Sequence, residues 1–390
     1  MLEIDYEHCT GCGACVQRCP KKCISWQFRE LGFKYPDIDK EKCINCHQCE
    51  KVCPIDKALV SVKNQHVYAL VNDDKATLQC STSGGAFSAI AKMVLNNGGV
   101  VYGCSMEKGF QVQHVRVSDS KQLNKLRGSK YVQSDTANSF CMLEQDLKQG
   151  ITVLYSGTPC QVTGLKSFLG KEYDNLITVD IVCHGVGSQR YFDKFLEDLS
   201  RRKGKLQELR FRDKKYVGWS CGGGVVVSLS NNGLEESPFY NFDNYYYSYF
   251  LSGDIYRQSC YSCKYANTIR QGDITLGDFW GVEAFRLDLN TYDGCSLVIT
   301  NSDAGKNIVD NLSGVEKVEV NIEKAIRHND NLSAPSRLTV NRNKRITEFD
   351  TMSGSEIEEI YLKENNIKLI KGKVKTMVPY SVKRWIRSLH

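Results

Sequence analysis

A duplicated cysteine pattern near the N-terminus constrains this chain more than any other feature. The two copies are CTGCGACVQRCP, from Cys9 to Pro20, and CINCHQCEKVCP, from Cys43 to Pro54. Both read C-x2-C-x2-C-x3-C-P, a spacing in which three thiolates hold one 4Fe-4S cube and the fourth holds a second cube. We therefore predict two clusters. Their ligands are Cys9, Cys12, Cys15 and Cys53 for the first, and Cys43, Cys46, Cys49 and Cys19 for the second.

Zinc is the alternative occupant of such cysteine runs. A zinc site uses four cysteines or histidines and does not require a doubled four-cysteine run that ends in proline, so the spacing favours iron-sulfur clusters. Cys23 stands where such modules place a small apolar residue, and we interpret it as a core residue. We expect His47, inside the second loop, to tune the polarity near the sulfurs without binding iron.

The cysteine count also bears on the compartment. The chain has 18 cysteines in 390 residues, yet it shows neither a signal-peptide pattern nor an apolar run of the roughly 18 residues that a spanning helix needs. We therefore expect a soluble cytoplasmic protein, in which reducing conditions favour metal ligands and redox thiols over disulfides. We expect no nucleic-acid partner.

The chain divides into three predicted regions. Residues 1–63 form the ferredoxin-like two-cluster module, residues 64–340 a larger body, and residues 341–390 a basic C-terminal tail. Helical patterns alternate with apolar strands in the first part of the body, which indicates βαβ units on a partly parallel sheet, and the strands beyond Gly204 look more antiparallel. The predicted fold class is α+β. The helix in TANSFCMLEQDLKQG is expected to be capped by Asp135 or Thr136.

The C-terminal tail is strongly basic. Between Lys363 and His390 there are eight lysines or arginines against one acidic residue, Glu364. One interpretation is a partly amphipathic tail that contacts an acidic partner or a membrane surface. The other, which the sequence alone favours, is a solvated C-terminal helix.

Five segments of the body carry unusual residue combinations. They are STSGGAFSAIA (81–91), LRGSKYVQS (126–134), YSGTPCQVTGL (155–165), IVCHGVGS (181–188) and SCYSCKYANTIRQGDITLGDFWG (259–281). In this order they resemble the family of the beta subunit of coenzyme F-420-reducing hydrogenase, from the ferredoxin module to about residue 340. The resemblance implies an FAD-binding body that passes electrons between a flavin, a 4Fe-4S cluster and a substrate or deazaflavin coenzyme.

Nine residues are candidates for contact with the flavin. They are Ser83, Gly84, Gly85, Arg127, Gly128, Ser129, Lys130, Thr158 and Asp278. The first three precede a helix, where free amides and bare backbone suit a pyrophosphate, although an ordinary serine-capped helix start is the alternative. The next four place two cations and a hydroxyl around a glycine, which suits a phosphate or an anionic flavin, although a solvated basic loop fits equally well.

Four further cysteines predict a third cluster. Cys160 and Cys183 stand at the ends of adjacent predicted strands, and Cys260 and Cys263 form a C-x2-C pair. Together they supply the four thiolates that a 4Fe-4S cube needs, although spacing alone leaves a structural zinc site open. The remaining cysteines are interpreted as buried apolar fillers: Cys80, Cys104, Cys141, Cys221 and Cys295.

His184 is the one candidate catalytic residue. It follows Cys183, and a proton donor near the flavin is one interpretation. A hydrogen-bonded histidine at a strand end is the alternative. Asp278 and Trp280 in GDFWG are expected either to line the flavin or substrate pocket or to plug the core.

These elements together predict an oxidoreductase with FAD, two N-terminal 4Fe-4S clusters and a third in the body. Its partners would be an organic substrate and a redox partner such as ferredoxin or a catalytic subunit, and a homo-oligomer is allowed. Two alternatives stay open: reaction with coenzyme F-420 itself, and an electron-transfer subunit without its own substrate. No G-x-G-x-x-G fingerprint follows a predicted strand, which argues against direct use of NAD(P)H.

Overall fold

The computed structural model describes residues 3–59, 64–230 and 233–387. The predicted boundary between module and body adjoins residues 60–63, which lie outside the described ranges. Residues 388–390, the end of the predicted tail, also lie outside them.

The chain forms 13 strands and 15 helices within the described residues. In chain order the strands are β1 (Ile24–Phe28), β2 (Lys34–Ile38), β3 (His66–Asn72), β4 (Val100–Met106), β5 (Val112–Val117), β6 (Val153–Gly157), β7 (Leu176–Ile181), β8 (Lys205–Arg210), β9 (Gly223–Ser230), β10 (Gly233–Tyr240), β11 (Ile274–Asp278), β12 (Ser296–Thr300) and β13 (Val315–Val320). The helices are α1 (Ala14–Arg18), α2 (Gln48–Lys51), α3 (Lys75–Gln79), α4 (Ala86–Asn96), α5 (Ser139–Lys148), α6 (Pro159–Leu169), α7 (Gln189–Lys203), α8 (Lys214–Val217), α9 (Tyr245–Ser252), α10 (Asp303–Asp310), α11 (Ile322–Ile326), α12 (Arg342–Thr351), α13 (Gly354–Glu364), α14 (Asn366–Met377) and α15 (Tyr380–Arg387).

The N-terminal module repeats one local structure twice. The antiparallel hairpin β1–β2 connects the two cysteine runs, and the third cysteine of each run lies in a short helix, α1 or α2. The residue before each helix has a left-handed backbone, with φ of 82° at Gly13 and 58° at His47. The His47 Nδ1 atom lies 2.9 Å from Glu50 Oε2, so this side chain is held within its own turn.

The body is built on a mixed eight-stranded sheet with the order β13-β3-β12-β11-β7-β6-β4-β5. Strands β4, β6, β7 and β11 run parallel to one another, and the pairs on either side of them are antiparallel. The expected βαβ unit is β6–α6–β7. The α+β class, with a small iron-sulfur module before a larger mixed body, is thereby confirmed.

The strands beyond Gly204 are antiparallel with one exception. Strands β8, β9 and β10 form a separate antiparallel sheet, which packs against α7 and the tyrosine-rich helix α9. The exception is β11, which pairs with β12 in an antiparallel sense and with β7 in a parallel sense. It therefore joins the two halves of the large sheet.

The predicted cap of α5 is wrong. The helix begins at Ser139 after Asn138, whose side chain does not cap it, and Gln17 Oε1 of the module accepts the first-turn Phe140 N–H at 2.9 Å. Asp135 instead accepts the Ala137 N–H within a turn, and the Thr136 hydroxyl donates to the carbonyl of Cys12 in the module. Both side chains therefore make hydrogen bonds outside the helix.

The segment predicted as a tail begins inside the core. Arg342, Arg345 and Glu348 of α12 are buried, and α13 packs against α7 and α9 with Ile357 and Tyr361 fully buried. Helices α14 and α15 follow on the surface. No helix in the described part of the chain is both long and apolar enough to cross a membrane.

Glu358 on α13 holds an unfavourable buried charge, which gives a prediction about stability. Its carboxylate accepts the Tyr245 N–H at 3.1 Å and lies 3.3 Å from Arg202, but burial raises its pKa from 4.5 to about 7. Because this pKa is raised in the folded state, the group favours folding most below pH 4.5, and that contribution is lost as the pH rises through 7. Ionised at pH 8, it disfavours folding by about 3 kcal/mol.

We therefore expect Glu358→Gln to raise the melting temperature at pH 8 by roughly 2–5 °C and to raise it far less at pH 5. The measurement is anaerobic thermal unfolding at both pH values. Glu359→Gln is the matched control, since Glu359 is exposed and pairs only with Lys363 on its own helix. A gain that is equal at the two pH values would show that the buried charge is not its cause.

Candidate functional site

The N-terminal module contains two cavities, each lined by one of the predicted cysteine sets. Cys9, Cys12, Cys15 and Cys53 line the first, and Cys19, Cys43, Cys46 and Cys49 line the second. The lining includes Trp26 and Pro36 in the first cavity and Ile24, Ile38 and Ile44 in the second. Four thiols around a cavity with an apolar lining fit a 4Fe-4S cube, which is held by four thiolates.

Burial disfavours the thiolate form of three cysteines of the first set. Burial raises the pKa of Cys12 to about 12, and it also raises the pKa of Cys15 and Cys53. A buried thiolate is therefore unfavourable until the positive charge of bound iron compensates for it. Cys23, predicted to be a core residue, is buried at the second cavity with its sulfur 3.4 Å from that of Cys19.

The four body cysteines converge from three parts of the body. Cys160 lies in the first turn of α6, Cys183 follows β7, and Cys260 and Cys263 lie in the turn before β11. Burial, with a further contribution from neighbouring thiols, raises the pKa of Cys160 to about 11 and that of Cys260 to about 12. The Thr158 hydroxyl lies 3.1 Å from the Cys160 sulfur. The arrangement supplies four half-buried thiols, the donor set of a cube.

A single metal ion needs its ligands closer together than a 4Fe-4S cube does. Within residues 3–59, 64–230 and 233–387, no three histidine, cysteine or acidic side chains form a group that could hold one metal ion. The four thiolates of a cube bind four different irons, so they stand farther apart than the ligands of a single ion.

A buried ion pair positions the turn that carries Cys260 and Cys263. Arg270 donates to Asp180 on β7 at 2.9 Å, and both side chains are fully buried. The same guanidinium donates to the carbonyls of Tyr265 and Ile181. Because Asp180 precedes Cys183 by three residues, this pair fixes the C-x2-C turn relative to the end of β7.

The first cysteine set of the module lies against the body set. A Cβ atom added at Gly164 on α6 would lie 2.8 Å from Cys12 Cβ and 2.9 Å from Cys12 Sγ, so only glycine permits this approach. On the other side, Lys264, next to Cys263, donates to the carbonyls of Pro54, Ile55 and Lys57 just after Cys53.

Arg257 is buried and contacts the loops that carry both cysteine sets. Its guanidinium donates to the carbonyls of Cys9 and Lys34 at 2.7 and 2.9 Å, and to Gln133 Oε1 at 3.1 Å. The charge of this buried arginine favours the thiolate forms of Cys160 and Cys260. Sequence analysis missed Arg257, because no local pattern marks it.

A cavity of about 440 Å³ opens where the parallel strands end. Ligand sites in α/β sheets commonly lie at these carboxyl ends. The lining includes Cys183 and these predicted residues: Ser83, Gly85, Arg127, Gly128, Ser129, Lys130, Thr158, His184, Asp278 and Trp280. Gly84 is not among them. It faces the sheet, since a Cβ there would lie 2.2 Å from the carbonyl oxygen of Leu70 and 2.4 Å from Ser296 N.

One wall of the cavity suits an anionic group. Helix α4 begins at Ala86 after Gly85, whose φ of 87° favours glycine, and its first-turn amides lack acceptors within the helix. Arg127 donates to Ser88 on this helix, and the Lys130 ammonium donates to the carbonyls of Lys125 and Arg127. Among the described residues neither cation pairs with a carboxylate. Two uncompensated cations beside a helix start fit the pyrophosphate of FAD.

The opposite wall is held by a second buried ion pair. Arg212 binds both oxygens of Asp278, at 2.6 and 3.1 Å, and the Trp219 Nε1–H donates to the same carboxylate at 2.7 Å. Trp219 in turn stacks on Trp280 with ring centroids 5.0 Å apart. Asp278 is thus a structural anion that fixes the cavity wall, and Arg212 is a lining residue that sequence analysis missed.

His184 lies in this cavity, and burial lowers its pKa. The imidazole is therefore neutral near pH 7. Cys104 and Cys221, predicted to be fillers, also line the cavity. The prediction that Cys80 is buried is wrong: it caps the end of α3 with an exposed side chain.

Two family models match parts of the chain. Residues 151–325 match the family described as the C terminus of the coenzyme F420 hydrogenase/dehydrogenase beta subunit, and residues 8–57 match the 4Fe-4S dicluster domain. No curated protein matches the chain. A solved structure of the xenon-derivatized F420-reducing NiFe hydrogenase complex from Methanosarcina barkeri contains a similar chain, with 16% sequence identity, a TM-score of 0.44, and coverage of 77% of this chain and 92% of that one.

The cysteine sets and the two family matches define an iron-sulfur protein of the oxidoreductase class. The predicted resemblance is confirmed. Residues 151–325 carry the C-terminal domain of the coenzyme F-420 hydrogenase/dehydrogenase beta subunit family, and residues 8–57 carry a 4Fe-4S dicluster domain.

The close approach at Gly164 can be tested directly. We expect Gly164→Ala to push Cys12 away from α6, to destabilise the protein by about 1–3 kcal/mol, and to speed the loss of iron to a chelator. The measurement is anaerobic unfolding together with iron release. Thr163→Ala, which adds no volume on the same helix, should behave like the wild-type protein in iron release. Equal iron release from the Gly164 variant would mean that the module does not depend on this contact.

Proposed function

We propose that this protein is an FAD- and iron-sulfur-dependent oxidoreductase with three 4Fe-4S clusters, and that it acts on an organic substrate at the flavin. When bound, the clusters carry single electrons and the flavin exchanges two electrons with the substrate as a hydride. Twelve cysteines would hold the clusters. They are Cys9, Cys12, Cys15 and Cys53; Cys19, Cys43, Cys46 and Cys49; and Cys160, Cys183, Cys260 and Cys263.

One observation carries this proposal: the body cysteines lie between the module and the cavity. Cys160 is on the same helix as Gly164, which contacts Cys12 of the first set. Cys183 lines the cavity that suits a flavin. A cofactor held by the body set therefore has the first module set on one side and the cavity on the other.

Residues of the chain supply the remaining requirements. The charge of Arg257 stabilises thiolates of the body set, and Arg127 and Lys130 would hold the phosphates of FAD. Phe250, Tyr256 and Trp280 give the cavity an aromatic lining, which limits the access of water.

Iron and flavin content test the third cluster. We expect about twelve irons and one FAD per chain after anaerobic purification, and about eight irons with retained FAD in Cys160→Ala. The same variant should lose the fast reduction of its flavin by reduced ferredoxin, because the body set is incomplete.

Cys141→Ala is the matched control, since Cys141 is a half-buried thiol at the contact between module and body that belongs to none of the three sets. It should keep about twelve irons and fast flavin reduction. Eight irons and one zinc in the wild-type protein would instead make the body set a structural zinc site, and a protein without flavin would contradict the proposal altogether.

Coenzyme F-420 is a second candidate substrate, favoured by the family that residues 151–325 match. In this case reduced F-420, added anaerobically, should bleach the flavin within the time of one turnover. The matched control is the same mixture with Cys160→Ala, whose flavin should still bleach, since a hydride reaches the flavin directly. Absence of bleaching in the wild-type protein would remove F-420 and leave another organic substrate.

A further inference from the structure

Helix α14 presents an apolar stripe to solvent. Ile367, Ile370, Val374 and Met377 are 71, 58, 59 and 80% exposed. At 100° per residue, the four positions fall within an arc of about 80° on the helix. An aligned stripe of aliphatic side chains differs from single exposed residues, which are common on protein surfaces.

The opposite face of α14 anchors the helix to the body. Gly372 is buried against the ring of Phe242, where an added Cβ would lie 2.3 Å from the ring. The Lys368 ammonium donates to the Ser248 hydroxyl at 2.6 Å. Helix α14 is therefore packed on the body through its inner face, and this packing directs the stripe toward solvent.

The charges on α14 identify what the stripe can contact. Lys371 and Lys375 lie beyond one edge of the stripe and Lys373 beyond the other. No acidic residue follows Glu364 in the sequence. Lysine stems on both flanks can extend past an apolar stripe and place their ammonium groups at the level of lipid phosphates.

We propose that α14 binds the surface of a membrane that contains anionic lipids. The apolar stripe would enter the boundary between head groups and acyl chains, and the flanking lysines would pair with lipid phosphates. Helix α15 also exposes two aliphatic residues at an i, i+4 spacing, since Val382 and Ile386 are 42 and 46% exposed. A lipid surface suits this stripe better than an acidic protein does, because the stripe is convex and needs no matching groove.

This inference goes beyond the proposed function and does not depend on it. It favours the first of the two interpretations of the basic C-terminal segment over the solvated helix. The membrane contact would be peripheral, consistent with the lack of a spanning helix in the described part of the chain.

The test is flotation of the anaerobically purified full-length protein with lipid vesicles. We expect the partition coefficient to be at least about tenfold higher on equimolar phosphatidylcholine and phosphatidylglycerol than on phosphatidylcholine alone, and to fall in high salt. The double variant Ile370→Gln and Val374→Gln keeps the charge and removes the two central residues of the stripe. The double variant Lys371→Gln and Lys373→Gln keeps the stripe and removes two of the three flanking lysine charges. Each should reduce binding about tenfold.

Leu234→Gln is the matched control, because Leu234 is 72% exposed on β10, in a different sheet. It should bind vesicles like the wild-type protein. Binding that ignores lipid charge, or that survives both double variants, would overturn the proposal. Two further results would also overturn it. One is a failure to bind vesicles together with salt-sensitive binding to polyglutamate. The other is a failure to bind vesicles together with self-association that the double variants remove.

Discussion

The contact between Arg257 and the loop of Cys9 is the interaction on which the arrangement of the molecule depends. A guanidinium that is 1% exposed donates to two carbonyls of the module and to Gln133 of the body. The backbone carbonyl of Arg257 also accepts the Cys260 N–H. Together with the contacts of Gly164 and Lys264, Arg257 therefore fixes the first module set relative to the body set, and its removal would leave several buried acceptors without a donor.

The module is consequently not a separate carrier attached by a linker. Cys12, Ala14 and Val52 share a hydrophobic core with α5 and α6, and Phe33 and Tyr35 share another with α7 and α9. Loops that carry cysteines are thereby held by rigid elements on both sides. Such fixed geometry suits electron transfer, because the separation between cofactors is set by packing and not by the motion of a domain.

Sequence reasoning grouped residues correctly where a pattern repeats at short range, and it missed contacts between residues that are far apart in the chain. The eight module cysteines follow one spacing twice, and the cavities bring together the sets that this spacing predicts. Arg257 and Cys9 are 248 positions apart, and Arg270 and Asp180 are 90 apart, so no periodic pattern joins them. The cap of α5 was missed for a related reason, since Thr136 is taken up by a contact with the distant module.

The central claim is that a third cluster lies between the module and the cavity. Anomalous diffraction at the iron edge from anaerobically grown crystals tests it most directly. We expect three compact iron peaks, two inside the module cavities and one enclosed by Cys160, Cys183, Cys260 and Cys263. Iron peaks confined to the module, with zinc or no anomalous signal among the four body cysteines, would contradict it.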